Sequence, residues 1–584
     1  MTARTDPEPG GGLHHAAVTG GGEAAAAVAV LPTPLPALRA CVVVPARDEE
    51  ALVGACVRAL AAQRGVPREA FELLLVLDRC RDATEARARA AAVGAPGPVL
   101  HVVTSPAPGV GAARALGMDL ACRRLLAVGR PEGLIASTDA DSQADPDWLA
   151  TQLAAVAAGA AAIGGRAALS AAELAALAPA VREGREVEAR ARLARVRAHA
   201  HPGARTEHWQ FSGASLALTA QTYERVGPLE PRAGLEDEGL ERLLSRHGVP
   251  IDRLRSVRVT TSGRPDGRAP RGLAVDLRRA GWLAARSYRA EDFALAELVE
   301  RKDVTVSVVL PAREVAGTIG RVLEAIAPLE RAGLVDELLV VDAASRDGTA
   351  EIAAAHGARV ADESELLPGL GPALGKGDAM WRALAGTSGD VVAYLDTDTE
   401  DFTAGFVTGL LGPLLCEPEV DFVKGAFRRP LRVGDTVVPD GGGRVTELVA
   451  RPLLNLYLPE LAAFLQPLAG EVAARRELLE GLAFPVGYGV EIAMLIDALR
   501  AVGLERMAQV DVGTRQNRHQ SLQELSAMAL EVLAAAERRI HGAERVEAAA
   551  PGPLLVPSGG RFETRSVVVD ERPPLSQALR AASA

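Results

Sequence analysis

Lysine is nearly absent from this chain: among its 64 lysines and arginines, only Lys302, Lys376 and Lys424 are lysine. In a sequence rich in Ala, Arg and Gly the arginine excess says little, so the placement of the rare lysines is the more informative signal. Cysteine is sparse as well. Cys41, Cys56, Cys80, Cys122 and Cys416 form no CxxC pair, which removes the zinc knuckle and the dithiol redox motif. Reduced, mostly buried thiols are expected instead. No apolar run reaches the roughly 18 residues that a bilayer span needs. The stretch EAAAAVAVL at 23–31 is too short, and it lacks the basic leader and cleavage pattern of a secretory signal, so a cytoplasmic location is expected. Basic charge is in deficit overall, with a net charge of −11, and this argues against a nucleic-acid binder, which needs a basic surface to displace counterions. Neither GxGxxG after a first strand nor a Gly-Lys-Ser/Thr P-loop occurs, so dinucleotide binding and ordinary ATP hydrolysis lose support.

What is present is a folded α/β chain written twice. At 584 residues, 48% hydrophobic and 24% charged, it is too long for a single core and too apolar for wholesale disorder. Residues 1–37, rich in Gly, Ala, Pro and Thr, read as a disordered leader. From Cys41 onward strand-like and helix-like segments alternate, the pattern of a mostly parallel sheet flanked by helices. CVVVPARDEE at Cys41–Glu50 is echoed by SVVLPARE at Ser307–Glu314, and LLLVLDRCRD at Leu73–Asp82 by LLVVDAASRD at Leu338–Asp347. A Gly-containing loop then enters a helix in both halves, at Gly109–Leu120 and Gly369–Leu384. Each half next presents a strand ending in Asp-x-Asp (Asp139/Asp141 and Asp396/Asp398) and, later, an acidic helix start (Gly234–Leu244 and Gly487–Leu499). Matches in the same order imply two homologous domains. They are expected at about 38–290 and 304–545, with a linker at 291–303 and a surface tail over 546–584.

In an open parallel sheet ligands sit beyond the carboxyl ends of the strands, where each of these motifs falls. Pro311, Ala312 and Glu314 would lie beside a nucleotide base, Asp342 and Ser345 beside a uracil or ribose, and Asp347 at the start of the following helix. Alternate residues of a strand tip face the same side, so Asp396 and Asp398 can converge on one hard cation, Mg²⁺ or Mn²⁺. Such an ion neutralises the diphosphate that departs when a nucleotide sugar gives up its sugar. GGGRVTEL offers backbone amides, a guanidinium and a hydroxyl (Gly443, Arg444, Thr446) at a helix start, a trap for phosphate or carboxylate; a surface turn capped by Thr446 is the alternative.

On these motifs both halves resemble GT-A glycosyltransferases of the family-2-like type, a Rossmann-like nucleotide-diphospho-sugar transferase fold. The second half is similar to the glucosyl-3-phosphoglycerate synthases through LGKGDAMW, YLDTDT, FVKGAFRRP, GGGRVTELVARPLLN, LQPLAGE and GYGVEIAMLID. The resemblance implies retaining transfer of glucose from UDP-glucose to D-3-phosphoglycerate. It implies Lys376, Asp396 and Thr397 on the donor, Gly443, Arg444, Thr446, Tyr488 and Asn517 on the acceptor, and Glu491 on sugar hydroxyls. The metal would rest on Asp398 together with Asn517 or His519. Tyr488 and Glu491 are both expected to open a helix. A homodimer is an open expectation.

Two departures stand out. The family pattern places a metal-ligating histidine where this chain has Asn517, with His519 two residues on; Val315 stands where a carboxylate is usual, leaving only Glu314 one position early. The first half offers Asp139 and Asp141 for donor and metal, Asp237 as general base, and Arg264 near the diphosphate. His208 and Trp209 read as a surface histidine beside a packed aromatic. The competing readings are another nucleotide-sugar transferase (GDP-mannose donor, or a lipid or polysaccharide acceptor) and a catalytically weakened nucleotide-sugar-binding scaffold.

Overall fold

The computed structural model describes residues 31–583 apart from 94–97, 232–233, 265–266, 268–270, 372, 434–435, 440, 517–520, 550–552 and 559. Most of the expected leader therefore lies outside the described residues. The chain forms two compact units that divide between Leu277 and Arg278.

The first unit is built on an eight-stranded sheet. Its order is Val99–Thr104, Phe71–Leu77, Ala40–Ala46, Leu134–Ser137, Leu216–Thr219, Ala162–Ala168, Ile251–Thr260 and Gln143–Ala144. The first four pair in parallel; Leu216–Thr219 runs antiparallel to both its neighbours; Ala162–Ala168 and Ile251–Thr260 are parallel again. Ala40–Ala46 (ACVVVPA) and Phe71–Leu77 (FELLLVL) are buried along their whole length, as continuous apolar runs must be in a sheet with helices on both faces.

The second unit repeats this plan. Its sheet runs Arg359–Asp362, Glu337–Asp342, Val306–Ala312, Val391–Tyr394, Val472–Arg475, Phe422–Arg428, Met507–Thr514 and Ser287–Arg289. Parallel and antiparallel pairings follow the same sequence, and the register repeats as well. Ala40 faces Leu134 in one unit as Val306 faces Val391 in the other. Only the last edge strand differs: Gln143–Ala144 pairs antiparallel, whereas Ser287–Arg289 pairs parallel with Met507–Thr514. The fold is thus two α/β domains with mostly parallel mixed sheets.

Two boundary expectations need correction. Residues 291–303 are not a bare linker: a 3-10 turn Ala290–Asp292 and a helix Leu295–Arg301 occupy them, and Leu298 is fully buried in the second core. Upstream, the Trp282 indole donates to Met507 O at 2.7 Å, so chain before residue 291 already belongs to the second unit. The tail does not simply run over the surface either. Glu571–Arg572 pairs antiparallel with Phe484–Pro485, and Leu575 is buried. A capping box at Ser521/Glu524 starts the long helix Leu522–His541, which packs along Val490–Val502.

In both units the chain leaves the central strand in opposite directions, toward Phe71–Leu77 and Leu134–Ser137 or toward Glu337–Asp342 and Val391–Tyr394. The crevice outside the carboxyl ends of these strands is where a ligand is held in such sheets. No helix among the described residues is long and apolar enough to cross a membrane.

Candidate active site

In the second unit the crevice is organised around Asp396, one residue past the buried Leu395. Its Oδ1 lies 2.7 Å from Lys376 Nζ, and its Oδ2 lies 2.9 Å from an Arg515 guanidinium nitrogen. The same nitrogen sits 2.6 Å from Asp398 Oδ1. Arg515 thus bridges the two aspartates, both of which lie just past the strand Val391–Tyr394. Thr397 points the other way: its hydroxyl donates to Pro311 O at 2.8 Å, and its carbonyl accepts from Thr318 Oγ1 at 2.6 Å.

Lys376 is the first residue of the helix Lys376–Ala385, and it also touches Glu491 Oε1 at 2.7 Å. Glu491 lies in the first turn of Val490–Val502, and its burial against one ammonium joins two distant helix starts. Burial works against the Lys376 charge, but Asp396 and then Glu491 more than offset it and hold the ammonium protonated. Asp396 is held well below the usual carboxylate range by Lys376 and Arg515, which outweigh its desolvation. Beneath the pair lie Glu471, raised by burial, and Lys424, whose ammonium is pushed down to about 8 by burial. Lys424 is 1% exposed and its Nζ has no hydrogen-bond partner. Gly470 is required beside them, since a Cβ there would come within 2.3 Å of the Asp396 carboxylate.

The remaining donor-side residues sit at neighbouring strand ends. Pro311 and Ala312 close Val306–Ala312, and Asp342 closes Glu337–Asp342. Asp342 Oδ2 accepts from Ser345 N at 2.9 Å, while its buried Oδ1 has no hydrogen-bond partner. Glu314 adopts φ 53°, donates its N–H to Ser345 Oγ, and its carboxylate accepts from Arg346 N at 3.0 Å. On the acceptor side, Gly443 takes φ 67° and Thr446 is buried at the start of a wide helical turn, Thr446–Ala450. Gly442 N donates to Arg429 O, and the Arg429 guanidinium lies within electrostatic reach of Arg515, Glu471, Asp396 and Asp398. That backbone contact joins the Gly-rich segment to Arg429. Tyr488 does not open the helix; it lies in the turn before Val490, half-exposed, its N–H on Glu531 Oε2 at 2.6 Å. Asn517 and His519 lie outside the described residues.

The first unit keeps this plan with different chemistry. Its corresponding helix Val110–Ala127 also follows a glycine N-cap, but begins with Val110 where the other begins with Lys376. Arg114, one turn further, takes over: it meets Asp139 Oδ1 at 2.7 Å and Glu236 Oε1 at 3.0 Å. Asp141 is raised to about 6 by burial and by Asp139, and Arg264 lies 3.4 Å away while also pairing with Glu49. Asp237 accepts from Gly213 N and Glu238 N and is raised by burial and by Glu236. Asp78, the counterpart of Asp342, accepts from Gly109 N at 3.0 Å. Gly164, at the sheet position of Lys424, has no room for a side chain. His208 is buried rather than on the surface, and burial lowers it to about 4; Trp209 lies under the Arg192 guanidinium.

Among the described residues one group has metal-ligand spacing, Asp48, Cys80 and Asp82 in the first unit. Arg81 N on Asp48 and Glu50 N on Asp82 recur in the second unit as Arg346 N on Glu314 and Ala316 N on Asp347. The recurrence with different residue types makes this a turn scaffold, separate from either Asp-x-Asp.

Comparison with known proteins identifies the family. The model of glycosyl transferase family 2 matches residues 41–184 and again 307–440. The glucosyl-3-phosphoglycerate synthase of Mycolicibacterium paratuberculosis is 45% identical over 309 residues, covering 51% of this chain and 92% of that protein. The chain belongs to the glucosyl-3-phosphoglycerate synthase family. The synthase of Mycolicibacterium smegmatis is 48% identical over 43% of this chain and 84% of its own length. A solved mannosyl-3-phosphoglycerate synthase from Rubrobacter xylanophilus is 47% identical, covering 51% of this chain and 99% of its own, with a TM-score of 0.47. Membership of the synthase family makes the chain a hexosyltransferase, and only about half of it is matched by these relatives.

Sequence reasoning missed Arg515, Glu471, Lys424 and Arg429 as members of the cluster, and Arg114 and Glu49 in the first unit. The signal was present for some: Lys424 is one of the rare lysines, and Arg515 stands two residues before Asn517.

Proposed function

We propose that the second unit transfers glucose from UDP-glucose to 3-phosphoglycerate with retention at the anomeric carbon. The observation that carries this reading is the Lys376–Asp396–Glu491 and Arg515–Asp398 array, in a chain 45% identical over 309 residues to a glucosyl-3-phosphoglycerate synthase. Asp342, with its open buried Oδ1, accepts from the nucleobase or ribose, and Ser345 supports it. Asp396 and Thr397 sit under the ribose and diphosphate. Lys376 supplies positive charge to the leaving diphosphate, and Glu491 holds sugar hydroxyls. Gly443, Arg444 and Thr446, with Tyr488 and Asn517, take the acid and phosphate groups of the acceptor.

A divalent cation, Mg²⁺ or Mn²⁺, fits the donor set. Asp398 is half-exposed and offers one carboxylate, while Asn517 and His519, to which the family pattern points, lie outside the described residues; one or two protein oxygens plus phosphate oxygens are what such ions take. When bound it neutralises charge that develops on the leaving group. In the transfer, the bond from the anomeric carbon to the β-phosphate oxygen breaks and a new bond forms to the acceptor hydroxyl oxygen. The hydroxyl proton passes to the departing diphosphate, so no protein nucleophile is assigned. GDP-mannose is the nearest competing donor.

The first unit is read as a second transferase-like site that carries no acceptor signature, the alternative being a degenerate duplicate that serves as a scaffold. Asp237 is its candidate base, because burial raises it toward the range useful for taking a hydroxyl proton, and the second unit has the buried Ile492 after Glu491 at that place. Asp139 and Asp141 take the donor and metal roles there.

UDP release by the full chain with UDP-glucose, Mn²⁺ and 3-phosphoglycerate tests the main reading. Strong stimulation by the acceptor is expected, and GDP-mannose should give little. Release that 3-phosphoglycerate does not stimulate would favour a different acceptor, and absent release would favour the scaffold reading.

A further inference from the structure

The segments that carry Lys376 and Glu491 are held together from outside the site by the C-terminal tail. We propose that Arg572 is a positioning residue for Lys376 and Glu491, and that residues 570–575 form a strap that sets the donor site; this rests on the donor-site reading above. Arg572 grips Asp378 with two hydrogen bonds, at 2.7 and 2.8 Å, and Asp378 is completely buried two residues after Lys376. Asp378 in turn accepts from Leu374 N at 2.9 Å, which fixes the turn through Gly375 from which Lys376 starts its helix. The Arg572 guanidinium also lies 5.7 Å from the Trp381 ring centre, and Trp381 Nε1 donates to Pro573 O at 2.9 Å.

The strap holds the other segment by its backbone. Glu571 and Arg572 pair with Pro485 and Phe484, and Val486 N donates to Asp570 O at 3.0 Å. From Val486 the chain passes through Gly487 and Tyr488 directly to Glu491. The two segments meet closely: Asp378 N donates to Val486 O at 3.1 Å, and a Cβ on Gly377 would come within 1.8 Å of Pro485 O. Glu571 is anchored by Arg539 at 2.6 Å. Without the Arg572 guanidinium, Asp378 keeps, among the described residues, only Arg382 at 3.3 Å as a cation. A buried carboxylate short of partners relieves itself by moving toward water, and it would draw the Lys376 turn with it. The first unit carries Ala112 at the place of Asp378, so this device belongs to the second unit alone among the described residues.

The test compares the full-length protein with Arg572→Met and Arg572→Lys. Hydrogen exchange of peptides covering 374–385 and 484–491 is read without substrate, and donor and acceptor kinetics are read by UDP release. Arg572→Met is expected to speed exchange in both segments by about tenfold and to lower kcat/KM for UDP-glucose about tenfold or more. KM for 3-phosphoglycerate should change less than kcat/KM for UDP-glucose, since Gly443, Arg444 and Thr446 lie outside both segments and only Tyr488 lies within one, and Arg572→Lys should recover most of the loss. Should Arg572→Met fail to fold, Arg572→Lys gives the same readings at smaller amplitude. Unchanged exchange, unchanged donor kinetics, or a loss that matches the fraction of unfolded protein overturns the proposal. A wild-type protein that releases no UDP would sink the functional reading, while the exchange result still decides for or against the strap.

Discussion

Lys376 Nζ lies 2.7 Å from Asp396 Oδ1, at the junction of a helix start and a strand end. The same ammonium reaches Glu491, so one of the few lysines in the chain satisfies a half-buried and a buried carboxylate. Replacing it leaves both without their nearest cation. Lys376→Met is expected to lower kcat by about 100-fold or more, the scale of removing one preorganised charge from a leaving group. Retained UDP-glucose turnover in a folded variant would remove Lys376 from the donor site.

Lys424 presents the opposite case, a buried ammonium without a hydrogen-bond partner. Its folded pKa, about 8, lies below the ordinary lysine value of 10.5, so above pH 8 the unfolded chain binds more protons than the native one. The group therefore costs stability at neutral pH, and wild-type stability should rise between pH 8 and 10.5. Lys424→Met is expected to melt about 2–4 °C higher at pH 7 and to lack that rise, while losing about tenfold in activity. A variant that melts lower at pH 7 contradicts this account of Lys424.

Asp141 gives a second pH signature, in the first unit. Its folded pKa, about 6, lies above the ordinary 3.8, so the native state binds more protons between these values and stability falls as pH rises through that window. In metal-free buffer Asp141→Asn should raise the melting temperature at pH 7 by about 2–4 °C and give no gain near pH 4. Differential scanning calorimetry at the two pH values checks it; an equal shift at both would show that the effect is not electrostatic.

The two sites should also be separable by mutation. Asp398→Asn is expected to abolish release stimulated by 3-phosphoglycerate, by about 100-fold or more, and to leave any activity of the first unit intact. Asp237→Asn should do the reverse. Loss of the phosphoglycerate-stimulated activity in Asp237→Asn would mean that the units do not work independently.

Much of this was legible because the informative residues are local in sequence. VVLPARE, LLVVD and YLDTD each end a buried strand, so reading the strand also placed the motif at the crevice, and its second copy identified the duplication. The partners that complete the site were hidden because only folding brings them near. Arg515 meets Asp398 across more than a hundred residues, and nothing in RQNRH distinguishes that arginine from its neighbours. Arg114 does in the first unit what Lys376 does in the second, yet the two differ by a helical turn and so do not align by eye. The domain boundary was misplaced because Ser287–Arg289 joins an edge of the second sheet by pairing with Met507–Thr514, a contact with no local signature. The tail was misread for the same reason: Arg572 has meaning only against Asp378.

The most direct measurement is UDP release by the wild-type chain with UDP-glucose and Mn²⁺, with and without 3-phosphoglycerate, alongside Asp398→Asn. The account predicts release stimulated at least about tenfold by the acceptor and lost in Asp398→Asn. Release that ignores 3-phosphoglycerate, or phosphoglycerate-stimulated release that survives in Asp398→Asn, would contradict it.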